Sequence, residues 1–231
     1  MLRVGLAMLQ GARHEHAEAL RGAARELGID VEVVECRRAE HVNNVDAMVL
    51  PGGESTTMRI ASQHESLLEA SFSWMEQHPE RPVLGTCAGA ILLAAPGEGR
   101  DPFVRVGIQR NAWGRQRQSF EAPLQVDMAT PEAAFVEVEA PVRDRFHHQP
   151  LAVQSQVDAP QGEGFPGVFI RAPRFDATRL QCQRAVTLGE ELVGVVDGRK
   201  LALTFHPELT LDRRFHRWLL DEASQLKGAA S

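Results

Sequence analysis

Cysteine is scarce: only Cys36, Cys87 and Cys182 occur in 231 residues, widely separated and odd in number. That excludes a disulfide framework and the paired spacing of a zinc site, and a reducing cytoplasm fits best. Lysine is nearly missing, present at Lys200 and Lys227 alone, so positive charge is carried by arginine. The net charge is −6 and both signs are mixed along the chain, with no basic stripe for nucleic acid and no Lys/Arg block for an anionic membrane. No apolar run approaches a bilayer span. The opening MLRVGLAMLQ reads directly as a strand, so neither a signal peptide nor a transmembrane helix is expected. Internal repeats and low-complexity linkers are also lacking. A single domain over residues 1–226, with a flexible tail at 227–231, is the economical reading.

What is present has the pattern of a layered α/β protein. Short apolar runs at Leu2–Met8, Val31–Glu35, Asp46–Leu50 and Pro82–Gly85 alternate with helical spacing at His14–Leu27 and Glu65–Gln77. Between the last two strands Ser55 is the expected N-cap of a helix through Ser62. Strands separated by helices predict a mostly parallel sheet covered on both faces, a three-layer sandwich. From Val104 onward the pattern changes to β-type runs separated by Gly and Pro: Val104–Ile108, Leu124–Val126, Phe135–Glu139, Leu151–Val157, Gly167–Ile170, Glu191–Val196 and Leu201–Phe205. These extend the sheet with antiparallel strands. Leu211–Leu226 closes the chain as an amphipathic helix with Phe215, Leu219 and Ala223 on one face.

Gly85-Thr86-Cys87-Ala88-Gly89 has the G-x-nucleophile-x-G form of a nucleophile elbow, with cysteine in place of serine. A strained strand-to-helix turn needs neighbours with little side chain where the backbone crowds. Such a turn displays the sulfur at the sheet's C-terminal edge and at a helix N-terminus, which favours thiolate. The same small residues also suit a cysteine buried in a core helix, so the motif needs partners. His206, in Thr204-Phe205-His206-Pro207-Glu208, follows an apolar run and should emerge at a strand's C-terminal end. Pro207 restricts it to extended geometry, and Glu208 is placed to orient the imidazole and stabilise its charged form. Pro51-Gly52-Gly53-Glu54-Ser55 supplies a glycine pair at another strand end. The Gly53 and Ala88 N–H groups there are candidates for an oxyanion hole, each donor contributing about 3–4 kcal/mol.

Together the elbow, Pro-Gly-Gly-Glu-Ser and His-Pro-Glu resemble the class I, triad-type glutamine amidotransferases of flavodoxin-like fold. Five blocks narrow the resemblance to the glutaminase subunit of pyridoxal 5′-phosphate synthase: "LQGA" at 9–12 with His16 after it, "PGGEST" at 51–56, "RNAWGRQRQSFE" at 110–121, "FIRAP" at 169–173 and "FHPELT" at 205–210. The resemblance implies hydrolysis of L-glutamine to glutamate and ammonia, with the ammonia passed through a channel to a synthase subunit that builds the vitamin. It implies no cofactor and no metal. Carried over by position, Cys87 is the nucleophile and His206 and Glu208 complete the triad. Gly53, Glu54, Ser55, Arg115, Ile170 and Arg171 line the glutamine site. A guanidinium suits the α-carboxylate of a free amino acid. Gln10 and Gly11 face the synthase partner, and docking there completes the oxyanion site.

One departure stands out. Arg115 to Arg171 spans 56 positions (171 − 115), longer than the family pattern, with the surplus between 124 and 162. Alternation in Phe135–Pro141, with Leu151–Val157 as partner, predicts a β-hairpin insertion that leaves the glutamine site untouched. His147-His148 within it has no third ligand at a useful spacing and reads as surface loop. The alternatives are a glutaminase subunit feeding another amidation, a cysteine hydrolase of related fold, or a non-catalytic module. The last would usually have lost a triad position, and all three are present.

Overall fold

The computed structural model describes residues 1–97, 99–110, 119–133 and 164–229. Its first half runs β1 (Leu2–Ala7), α1 (Arg13–Leu27), β2 (Val31–Cys36), β3 (Ala47–Leu50), α2 (Ser55–Ala61), α3 (Leu67–Gln77), β4 (Val83–Thr86) and α4 (Ala88–Ala94). Then follow β5 (Gly107–Gln109), β6 (Ser119–Val126), β7 (Gly164–Ile170), β8 (Arg174–Asp176), β9 (Gln183–Leu188), β10 (Glu191–Asp197), β11 (Lys200–Leu203) and α5 (Arg214–Ala229). A nine-stranded sheet has the order β2-β1-β3-β4-β11-β10-β9-β6-β7. Strands β2, β1, β3, β4 and β11 are parallel, and β10, β9, β6 and β7 add to them as an antiparallel wing.

The central strands β3, β4 and β11 are buried along their whole length, as a parallel sheet covered on both faces requires. Alternation sends successive residues to opposite layers. Leu201 and Leu203 join α1 and α5 through Leu20, Ala23, Phe215 and Leu219, whereas Ala202 meets the α3 and α4 side with Phe72, Met75 and Leu92. Helix α1 stops at Gly28, whose left-handed φ of 66° lets its N–H reach the Ala24 and Arg25 carbonyls. On the α5 layer Phe165, Phe205 and Phe215 form one aromatic cluster, with Phe165 centroids 5.5 Å from Phe205 and 4.8 Å from Phe215. Each ring is fully buried, contributing about 1.5–3 kcal/mol. Phe205 immediately precedes His206, so the core anchors the histidine's backbone.

Several expectations are corrected. The cap of α2 is Glu54: at φ −106° and ψ 113° its carboxylate accepts from the N–H groups of Thr56 and Thr57, while Ser55 is turned inward and buried. The Val104–Ile108 run is strand only from Gly107, because Val104 and Val106 insert into the core and β5 pairs with β8 in a separate small sheet. Strands β8 and β9 have no counterpart in the sequence reading. Helix α5 starts at Arg214, after a 3₁₀ turn at Pro207–Leu209, and runs to Ala229, so 227–229 are helical rather than tail. Lys227 Nζ is bonded to Asp46 at 2.8 Å. Strands β6 and β7 pair from Ser119↔Ile170 to Gln125↔Gly164. The expected hairpin strands and His147-His148 lie outside the described residues.

Candidate active site

Because β1, β3, β4 and β11 are parallel, the loops that follow them emerge at one edge of the sheet, where open α/β folds place ligands. Those loops carry Gln10-Gly11, Gly52-Gly53, Cys87 and His206. Register sets them side by side: Leu50 is opposite Gly85, and Leu203 is opposite Thr86. The Cys87 N–H donates to the Leu203 carbonyl at 2.8 Å. Cys87 itself sits at φ 49°, ψ −105°, a conformation that costs about 1–3 kcal/mol for a residue with a side chain. Gly89 makes the turn feasible, since a Cβ there would lie 2.0 Å from the Leu50 carbonyl oxygen.

The Cys87 side chain is buried, its sulfur within 3.9 Å of the Ile170 carbonyl oxygen, and it stands beside the His206 ring at the glycine loop. The 3₁₀ turn after His206 brings Glu208 back onto the ring, with His206 Nδ1 2.8 Å from Glu208 Oε1. The His206 N–H donates to the Val168 carbonyl at 2.8 Å, fixing the ring's stem against β7. Burial opposes the charged imidazole, but Glu208 and Cys87 outweigh it and push His206 up to about 10. Burial likewise opposes the Glu208 carboxylate, and the facing His16 and His206 rings hold it down at about 2. Cysteine, imidazole and carboxylate are therefore gathered in one water-poor place.

The glycine loop lies against this place. A Cβ on Gly52 would stand 2.6 Å from His206 Cε1 and 3.3 Å from Cys87 Cβ. Gly52→Ala is accordingly expected to displace the imidazole and cut turnover about a hundredfold, with the fold retained. Steady-state kinetics beside a thermal melt check this. Gly11, at φ 81°, packs so closely beneath the loop that a Cβ would lie 2.0 Å from the Gly52 oxygen. Gln10 Oε1 accepts from the Glu54 N–H at 2.8 Å and lies beside Gly53. Hence the two residues expected to face a partner are joined directly to the loop expected to hold the oxyanion. As the first residue of α4, Ala88 has no intrahelical acceptor for its N–H.

Of the expected substrate contacts, Gly53 lies on this loop and Ser55 is the buried first residue of α2. The Glu54 carboxylate is engaged by the first turn of α2 and by Thr57 Oγ1, whose hydrogen bonds hold it down at about 2. Ile170 is partly exposed beside Cys87, and Arg171 follows at φ 45°, an uncommon backbone state for a residue other than glycine. Arg115 lies outside the described residues.

Behind Glu208 stand two residues that no sequence motif marks for a role. His16 on α1 and His216 on α5 are fully buried, 3.0 Å apart from Nδ1 to Nε2, and His16 Nε2 lies 3.3 Å from Glu208 Oε2. His16 was visible only as part of a motif block, and His216 carried no signal. Burial pushes the thiols of Cys36 up to about 12 and of Cys182 up to about 11, so both stay protonated at neutral pH. Among the described residues no group of three or more His, Cys, Asp or Glu could hold a metal ion, and no helix is long and apolar enough to cross a membrane.

With the site in view, comparison with known proteins is informative. The family model of the SNO glutamine amidotransferase family matches residues 6–160 and 143–225. The chain is 38% identical over 230 residues to the pyridoxal 5′-phosphate synthase subunit PdxT of Thermococcus onnurineus, covering 96% of this chain and 100% of the relative. It is 32% identical to the PdxT subunit of Halalkalibacterium halodurans, covering 100% and 99%. A crystal structure of a glutamine amidotransferase, 33% identical, superimposes with a TM-score of 0.67 over 96% of this chain and 98% of that one. Near-full-length similarity on both sides, together with the fold, places the whole chain: it belongs to the SNO glutamine amidotransferase family.

Proposed function

We propose that the chain hydrolyses the side-chain amide of L-glutamine and feeds the ammonia to a synthase subunit making pyridoxal 5′-phosphate. One observation carries the chemistry: beneath a Gly-Gly loop Cys87 stands beside His206, whose Nδ1 is hydrogen-bonded to Glu208. Family membership and relatives named as PdxT support the substrate and the destination. They favour this reading over a subunit of another amidotransferase or a related-fold cysteine hydrolase.

With the proton already on His206, the Cys87 sulfur attacks the amide carbon of glutamine. The carbonyl electrons move onto oxygen, which the Gly53 and Ala88 N–H groups receive. His206 returns a proton to the amide nitrogen, the C–N bond breaks, and ammonia leaves a γ-glutamyl thioester on Cys87. Water then attacks the thioester carbon while His206 takes its proton, and the C–S bond breaks to release glutamate. Glu208 holds the imidazole and balances its charge in both halves. Arg115 and Arg171 are the proposed carboxylate ligands of the substrate. A reducing cytoplasm suits three cysteines that are all free thiols.

Because Gln10 touches the Glu54 N–H and Gly53, a synthase subunit pressing on the Gln10-Gly11 turn would act on the oxyanion loop directly. The test is ammonia release from L-glutamine by the purified chain, with and without the synthase subunit. Release that rises when the synthase is added is expected. No release in either mixture overturns the glutaminase reading, and equal rates in both overturn the docking step.

A further inference from the structure

Glu208 has two oxygens in the protein interior, and His206 takes only Oε1. Oε2 is buried with no hydrogen bond among the described residues, and it faces His16 Nε2 at 3.3 Å. The same nitrogen lies 3.1 Å from the hydroxyl of Thr86, the residue preceding Cys87. On its other side His16 Nδ1 is 3.0 Å from Nε2 of His216, so two rings from α1 and α5 stand in file behind the carboxylate.

The protons in this file can be assigned from the far end. His216 Nδ1 is buried and has no partner among the described residues. A buried N–H without an acceptor is rarer and costlier than an unmatched lone pair. The His216 proton therefore sits on Nε2 and is donated to His16 Nδ1. That leaves His16 with its proton on Nε2, on the side of Thr86 Oγ1 and Glu208 Oε2. A second proton on His16 would set N–H against N–H at 3.0 Å. Burial lowers both rings from 6.5. Glu208, His206 and Glu15 act on His16, and His16, Glu208, Arg213 and Arg217 act on His216.

We infer that His16, locked in one tautomer by His216, is a positioning residue that steadies Oε2 of Glu208 and so keeps Oε1 on His206. Partners behind a functional imidazole or carboxylate commonly fix its orientation and tautomer in this way. Helices α1 and α5 then do more than cover the sheet, since their packing sets the alignment of the triad. The kinetic part of this inference rests on the glutaminase reading, and the alignment itself does not.

Two substitutions separate positioning from mere packing. His16→Leu removes the ring nitrogen that faces Oε2 and Thr86. His16→Gln can turn its amide N–H to Glu208 and its carbonyl to His216. In the free protein, without glutamine, nitrogen-15 NMR follows the pH at which His206 loses its proton. His16→Leu is expected to lower that pH by about one unit or more, because the carboxylate no longer holds the imidazolium. It should also lower kcat about tenfold with KM little changed, and His16→Gln should restore most of both. His216→Leu, which frees the tautomer, should move both readouts in the same direction by less. An unmoved His206 titration in folded His16→Leu, or a kcat loss that His16→Gln does not recover, overturns the inference. If His16→Leu fails to fold, His216→Leu decides: an unmoved titration there overturns it. If the parent protein releases no ammonia from glutamine, the glutaminase reading falls, while the titration still judges the alignment.

Discussion

Replacing Cys87 with alanine is expected to abolish ammonia release from glutamine, by at least about 10³-fold, while the protein stays folded. The loss is complete because no other group can take over the attack. Cys36 and Cys182 are pushed up to about 12 and about 11 by burial, and Cys36 lies within hydrogen-bonding reach of the Val34 and His41 carbonyls, away from the glycine loop. The fold survives because alanine keeps the Cβ and the elbow's backbone, including the N–H donated to Leu203. The sulfur's contact with the Ile170 carbonyl disappears. A thermal melt and a coupled ammonia assay on the same sample read the two halves of this prediction. Retained turnover would remove Cys87 from the mechanism.

Glu208→Gln is expected to lower kcat by about 10²–10⁴-fold with little change in shape. The amide that replaces the carboxylate can present an N–H to His206 Nδ1. The imidazole would then carry its proton on Nε2 and could not accept one from Cys87. The imidazolium would also lose the neighbour that, against burial, helps push His206 up to about 10. The site's pH behaviour follows from the same pair. His206 contributes stability in full below its ordinary 6.5, and this is lost as the pH rises through about 10. Glu208 contributes in full above its ordinary 4.5, and this is lost as the pH falls through about 2. The pair's stabilisation is therefore complete between about 4.5 and 6.5 and narrows in Glu208→Gln. Melting curves across pH for the parent and the variant, with kcat measured at neutral pH, check both statements. A variant with parental kcat would contradict the orienting role.

Cys87, the glycine pair and His206 could be placed from sequence because each follows a short apolar run that becomes a parallel strand. Parallel strands share one C-terminal edge, so three separate strand ends become a single site. What escaped has a physical explanation. Strand β9 buries only Ala185, Val186 and Thr187 and pairs with β10 through register shifts, so it lacks the alternation that marks a strand. The α2 cap went to Ser55 on residue preference alone, whereas backbone geometry let the longer Glu54 side chain reach back. The meeting of His16 and His216 joins residues 200 positions apart and depends on α1 packing against α5, which no local pattern encodes. Family resemblance alone marks Gln10 as partner-facing, and its bond to the Glu54 N–H, 44 positions away, has no local signal in the sequence.

The central claim is that Cys87, activated by His206, attacks a glutamine held beside the glycine loop. Treatment with a glutamine analogue carrying a diazoketone in place of the amide, followed by peptide mass spectrometry, tests it most directly. A single covalent adduct on Cys87, suppressed by excess L-glutamine and lost in His206→Ala, is the predicted result. An adduct on Cys36 or Cys182, or labelling of Cys87 that L-glutamine does not compete, would contradict it.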